Sequence, residues 1–425
     1  MTALFDSISK PSSSYFIIAF ALYCVAFLLF VLAIAGKVWS GRDPEQHQKR
    51  WGAVAFAVAV AGFVFHLLFF FTRWHLAGHI PTSNMYEFMT FLGMMIVFAF
   101  LIVFAIYRKH IIGAFALPVA IIILAYAAVF PQEIQPLIPA LQSYWLKIHV
   151  TTAATGEAFF AVGFAGGLMH LLRTVNFKDD SKTARREKRW LEFTIFFIIL
   201  IVAFIGSVFT WNATGYKAVF TEEITVPGLK GAADEVRTVE AQYVLPPIFK
   251  PHDGKIVEMK PWLGIEEPLF EAPSWLKGAS AGRKLNTVVW SLVSGLVLYG
   301  LLRLIVRRPL AAFISPMLKG MDPEDLDEIA YRSIAIGYPI FTLGALIFAM
   351  IWAAEAWGRF WGWDPKEVWA LITWLFYAAY LHFRLSRGWQ GKRSSWLAVI
   401  GFLVVMFTLI GVNLVIAGLH SYAGV

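Results

Sequence analysis

Apolar and polar positions fall in long blocks along this chain rather than at the spacing of an amphipathic helix or strand. Apolar runs recur near 15–36, 52–71, 85–106, 111–130, 149–172, 191–210, 286–305, 333–354, 367–384 and 396–416. Each has about the length, roughly twenty residues, that a helix needs to cross a bilayer core. Helices satisfy their backbone groups internally, so such runs predict spanning helices. The run at 111–130 is the least regular, because it follows the short turn Tyr107-Arg108-Lys109-His110 and holds Pro118. The polar connections are short except for loop 211–284, which is mixed in charge and rich in proline. Its stretch Lys217–Val226 alternates apolar and polar residues, which predicts a small β-rich element. The pattern as a whole predicts an all-α polytopic membrane protein of about ten helices. No internal repeat, phosphate-binding glycine loop or pair of interrupted helices of the inverted-repeat transporter kind is visible.

Composition agrees. Hydrophobic residues make up 59% of the chain and charged residues 15%, where a soluble domain carries about 25% charge. The placement of charge adds a direction. Segments 37–50, 107–110, 173–190, 303–332 and 384–393 hold 22 Lys and Arg, and the alternate short segments hold 5. Basic loops stay cytoplasmic, so both termini are expected on the outer side. The net charge of +8 is then explained by topology, and nucleic acid drops out as a partner, leaving membrane lipid as the surroundings. Cys24 is the sole cysteine, which excludes a disulfide framework, a CxxC pair and a thiolate cluster. The N-terminal segment carries one lysine and no clear cleavage site, so the first run is expected to stay as an anchor.

The stretch that promises chemistry is 355–382, joining the eighth and ninth runs on the outer side. Trp352, Trp357, Trp361, Trp363, Trp369 and Trp374 fall within 23 residues. One reading is interfacial anchoring; the other is a shelf of broad, rigid faces on which a planar porphyrin stacks. Asp364-Pro365 opens the ninth run, and Glu367 completes a capping-box spacing. A helix cap accounts for Asp364 without any ligand.

His149 opens the fifth run and His420 follows the tenth, both on the side of the tryptophans. Two neutral imidazoles on either face of a tetrapyrrole would give six-coordinate haem iron. Read singly, each is an ordinary interfacial residue. His382 lies 18 residues after Asp364, about 27 Å along a helix, near the opposite end of the ninth run. An ionisable residue inside a membrane is a functional candidate, and so is His66 in the second run, although core packing explains it equally well. Arg73, Arg359 and Lys366 are cations suited to a propionate or to ordinary interfacial charge.

The segment Trp357–Trp374 resembles the WWD motif of the haem-handling proteins of cytochrome c biogenesis, in the form found in the CcsA/ResC type of system II. The segments Thr72–Phe88, Leu141–Phe160 and Gly411–Gly424 resemble further stretches of that family, in the same order. The resemblance implies that His149 and His420 are the external haem-iron ligands, that His382 is the transmembrane ligand, and that Trp357, Trp361, Trp363 and Asp364 belong to the haem-binding motif. It implies haem b as the transported substrate, a membrane partner resembling ResB/CcsB, and apocytochrome c with its CxxCH cysteines as client. The second ligand of the inner site is then His66 or comes from the partner. It also implies the bacterial cytoplasmic membrane, with the motif on the outer side. Against the family pattern, 191–305 reads as an inserted helix pair bearing loop 211–284. It separates the N-terminal membrane helices (residues 1–190) from the C-terminal ones (residues 306–425). Thioether formation adds a thiol to a vinyl group, so a haem-attachment activity shared with the partner is open, but no general acid or base is identifiable. The alternative function is a secondary transporter of another amphiphile, and a quinone-linked haem oxidoreductase is a third.

Overall fold

The computed structural model describes residues 11–36, 43–134, 142–226, 235–273 and 281–412. Six helices come first: α1 (Pro11–Ala35), α2 (Pro44–Ala77), α3 (Met85–Tyr107), α4 (Ile111–Ala127), α5 (Tyr144–Thr174) and α6 (Lys182–Ala213). Five short strands follow: β1 (Ala218–Val226), β2 (Glu235–Tyr243), β3 (Phe249–Lys250), β4 (Ile256–Met259) and β5 (Phe270–Glu271). The chain then forms α7 (Ala281–Val306), the short α8 (Leu310–Ile314), α9 (Pro323–Trp357), α10 (Pro365–Ser386) and α11 (Lys392–Gly411). Among the described residues, 9 of these helices are long and apolar enough to cross a membrane. The molecule is therefore an all-α polytopic membrane protein carrying a small β element. The fourth predicted run does form a helix, but α4 has only 17 residues, about 25 Å, which is short of a full bilayer core.

Helix starts follow from capping side chains. Asp43, Asn84, Asp322 and Asp364 each accept a backbone N–H from the first turn, and Pro44, Pro323 and Pro365 occupy first-turn positions where no N–H is needed.

The chain divides into two compact units. One is Glu192–Leu310. In it β1 pairs antiparallel with β2 from Ala218↔Tyr243 to Val226↔Glu235, and on its other edge with β4, giving the order β2-β1-β4. Alternate residues of β1 point inward, so Ala218 and Phe220 join Tyr216, Ala241 and Tyr243 in a core against which Trp211, Met259 and Trp262 pack. Asn286 of α7 holds the start of β3, accepting from the N–H groups of Ile248 and Phe249 and donating to the Phe249 carbonyl. Glu192 accepts from the Tyr299 hydroxyl at 2.8 Å, from Arg303 and from the Leu310 N–H.

The other unit holds the remaining helices, with α5 at its centre and buried for most of its length. Its composition explains how it can sit there. An added Cβ at Gly156 would press on the backbone of Phe341, at Gly166 on that of Ala330, and at Gly344 on that of Ala153. Small residues let α5 and α9 approach backbone to backbone, the packing that drives helix association where no hydrophobic effect operates between helices. Away from the tryptophan segment, Asp327 of α9 accepts from Arg384 of α10 at 2.7 Å, from Ser394 of α11 at 2.8 Å and from the Gly391 N–H at 3.1 Å. Beside it, His170 of α5 is hydrogen-bonded to the Ser395 hydroxyl at 2.9 Å.

Candidate haem-handling site

The tryptophan segment joins α9 to α10. Gly358, at φ 69°, ends α9 in the left-handed region. Six residues later Asp364 starts α10 with a full capping box: its carboxylate accepts from the Lys366 N–H, and Glu367 accepts from the N–H groups of Asp364 (3.2 Å) and Gly362 (2.8 Å). Trp363, immediately before the cap, sits at φ 57°, a region that costs a bulky residue about 1–3 kcal/mol and persists only where the surroundings impose it. That backbone turns the indole outward, leaving it 70% exposed. Trp361 meets Trp363 edge to face at 5.9 Å, and Phe360 beside them is also exposed.

The six tryptophans thus separate by role. Trp352 is buried. Trp369 packs on Phe407 at 4.4 Å, and the Trp374 indole N–H donates to Thr342 Oγ1 at 2.9 Å while its ring stacks on Tyr338. These three hold helices together. Trp357, Trp361 and Trp363 line the connecting segment.

His149 lies in the first turns of α5 and is brought to this segment by α9. Its ring stacks on Trp352 with centroids 5.7 Å apart and planes 8° from parallel, and Trp352 in turn meets Trp357 at 6.3 Å. His149 Nδ1 donates to the Gly344 carbonyl at 2.9 Å. That carbonyl belongs to a π-helical stretch of α9, Thr342–Phe348. π-Turns inside α-helices re-aim backbone groups and recur at functional sites. Gly344 is glycine for a steric reason: α5 crosses so close that a Cβ would strike the backbone of Ala153. A proton held on Nδ1 leaves the lone pair on Nε2, the nitrogen an iron ligand must offer, and a carbonyl on the far nitrogen is the usual orienting partner of a ligand imidazole. Ser143 ties the same end of α5 to α9 by donating to Glu355 at 2.9 Å.

The other predicted residues are disposed as follows. His382 is on the exposed surface of α10, with Ser386 Oγ 3.4 Å from its Nδ1. His66 is buried 3.3 Å from the Tyr23 hydroxyl, with the rings of Phe16, Tyr23 and Phe69 about it. Arg73 is engaged internally: its Nε donates to Glu87 at 2.8 Å, a second nitrogen donates to the Gln132 carbonyl, and it lies over the Tyr86 ring. His420 falls outside the described residues. Sequence reasoning missed Glu157, a buried carboxylate on α5 in the electrostatic field of Lys366. A charged residue in an otherwise apolar run was the available signal.

Residues 82–225 and 287–420 match a family described as cytochrome C assembly protein. The chain belongs to this family. The match takes in His149, the π-helical stretch and the whole tryptophan segment, and leaves out 226–286. Among its relatives is a cytochrome c biogenesis protein CcsA of Gloeobacter violaceus, 31% identical over 409 residues, covering 95% of this chain and 94% of the relative. Another of that name, from Nostoc punctiforme, is 33% identical over 389 residues, covering 88% and 92%. A third, from Pyropia yezoensis, is 30% identical over 359 residues, covering 83% and 81%. Family membership accords with the resemblance read from the WWD-like segment.

Proposed function

We propose that this chain is the haem-handling membrane subunit of a system II cytochrome c assembly complex. It carries haem to the outer face of the bacterial cytoplasmic membrane and presents it for covalent attachment to apocytochrome c. The observation that carries this reading is the setting of His149, whose Nδ1–H is tied to the Gly344 carbonyl while its ring lies flat on Trp352. With Nδ1 engaged by the carbonyl, Nε2 is the nitrogen that would ligate iron, held at the edge of an aromatic segment. Haem b fits such a donor set: the iron takes an imidazole nitrogen, and the macrocycle takes indole faces. His149 and His420 are assigned as the outer ligands, and Trp357, Trp361 and Trp363 as the shelf. Asp364 orders the shelf as a helix cap. Haem bound there would supply the vinyl groups for thioether formation; the protein's contribution is orientation.

His382 is assigned to the inner site. Its exposure on α10 favours a second ligand from a ResB/CcsB-like partner over His66, which is enclosed by aromatic rings. Within the unit Glu192–Leu310, the stretch 226–286 that the family match leaves out is assigned to docking that partner or the apocytochrome, with the motif and both termini facing outward.

The test is spectroscopic. The chain is purified with its partner, and oxidised and reduced absorption spectra are compared for wild type, His149→Ala, His420→Ala and His382→Ala, with and without imidazole. A six-coordinate spectrum that the substitutions perturb and imidazole restores supports the assignments. The same haem in all four proteins removes them. No haem in any of them returns the transporter reading to the front.

A further inference from the structure

The buried face of α10 is polar. Its buried residues are Thr373, Tyr377, Tyr380 and Arg384, whereas Ile372, Leu375 and Leu385 are exposed. The arrangement is the reverse of a soluble helix, and in a bilayer polar side chains turned to the bundle interior are candidates for the path of a polar or charged species. Three atoms along this face are buried without a hydrogen-bond partner among the described residues: Glu157 Oε2 on the adjoining α5, Tyr377 OH and Tyr380 OH. Buried polar atoms are nearly always satisfied, by protein or by internal water.

These groups are linked by their electrostatics and by ring contact. Lys366, at the tryptophan end of α10, lies in the electrostatic field of Glu157, and Glu157 in turn acts on Tyr377. The rings of Tyr377 and Tyr380 are 6.5 Å apart. Tyr380 adjoins Ser394, Asp327 and Arg384, the hydrogen-bonded cluster at the far end of the helix. Thr373 and Thr408, joined at 3.1 Å, stand on the same buried face. Phe160 stacks on Tyr377 with centroids 3.7 Å apart, holding that ring in place.

We propose that Lys366, Glu157, Tyr377, Tyr380 and Asp327 form a proton-conducting track through the helix bundle, with internal water spanning the intervals. Each hydroxyl passes its proton to the next acceptor and takes one from the group before it. One proton enters at the tryptophan end for each that leaves at the Asp327 end, or the reverse, and nothing is oxidised or reduced. Glu157 is the carboxylate whose field reaches both Lys366 and Tyr377, and its Oε2 is buried without a partner among the described residues, so it is the step at which the track is cut most cleanly. The inference does not rest on haem handling, and its test uses haem-free protein.

Two measurements decide it. Hydroxyl-radical footprinting of the full chain in nanodiscs labels side chains that touch ordered internal water. Tyr377 and Tyr380 are expected to react at least fivefold faster than Tyr23, which is equally buried but bonded to His66. Equal rates for the three overturn the proposal. In proteoliposomes of the full chain enclosing a pH dye, a potassium diffusion potential drives proton entry. Glu157→Gln and Tyr377→Phe are each expected to lower the rate at least threefold, with Tyr23→Phe as the matched control. Flux unchanged in correctly folded Glu157→Gln and Tyr377→Phe overturns the proposal, even if the tyrosines are hydrated.

Discussion

The two ends of α10 solve opposite problems. At the end away from the tryptophans, Arg384 and Asp327 are buried, and each carries enough partners to tolerate it: the carboxylate takes three donors, and the guanidinium adds Ser394 and the face of Tyr331. At the other end, Phe360 and Trp363 stand in the open on a turn whose backbone is strained. The first end is closed by its own partners, and the second is the shelf proposed above to take haem. Strain at Trp363 persists because the Asp364–Glu367 capping box pins the residues on either side of it.

Breaking the closed end should have the largest effect. Asp327→Ala removes the short ion pair of the buried Arg384 and leaves it only the longer contact to Glu328 at 3.6 Å, a loss of about 3 kcal/mol; thermal unfolding in detergent should register it. The double change Asp327→Asn with Arg384→Met should recover most of that loss. A single change that unfolds like wild type would dissolve the contrast between the ends.

Gly344→Ala comes next. Its methyl meets the backbone of Ala153, and overpacking of this kind costs about 1–3 kcal/mol. Because it also displaces the carbonyl that orients His149, the spectrum of bound haem should change together with the unfolding temperature. Asp364→Ala should cost about 0.5–2 kcal/mol through the lost cap, whereas Asp364→Asn should retain nearly all of it. If the Asn variant keeps its stability and loses haem, Asp364 does more than cap.

At the open end, Trp363→Gly removes an exposed ring and relieves the positive φ. Stability should stay within about 0.5 kcal/mol of wild type or rise slightly, while haem affinity measured by titration falls. A large loss of stability would show that Trp363 belongs to the core.

The smallest effect expected lies in the extramembrane segment. The backbone N–H of Asp253, with Lys250 beside it, holds Glu271 below the usual carboxylate range. A carboxylate so depressed contributes stability that is present above its unfolded pKa and lost as pH falls through its folded one. Protection factors for hydrogen exchange across 249–253, corrected for the intrinsic slowing of exchange in acid, should therefore fall as pH drops, and Glu271→Gln should flatten that dependence.

The helices, their caps, the β alternation of 218–226 and the density of tryptophan are one-dimensional signals, carried by run length and local spacing, so the sequence by itself determined them. It could not determine which face of each helix meets protein. In a soluble helix the polar stripe reports that, but lipid and protein interior are alike apolar, and most of the spanning helices here carry no such stripe, α10 being an exception. The division of the tryptophans into structural and exposed sets was therefore hidden, as were the pairing of Arg73 with Glu87, the enclosure of His66 and the exposure of His382. The same reason hid the two features that matter most to the proposals. Gly344 offers its carbonyl to His149 only because two helices distant in sequence cross backbone to backbone around a π-turn. Glu157 is buried only because α5 runs through the centre of its unit. Contacts between helices, decided by the close packing of small residues, exist only in the tertiary structure.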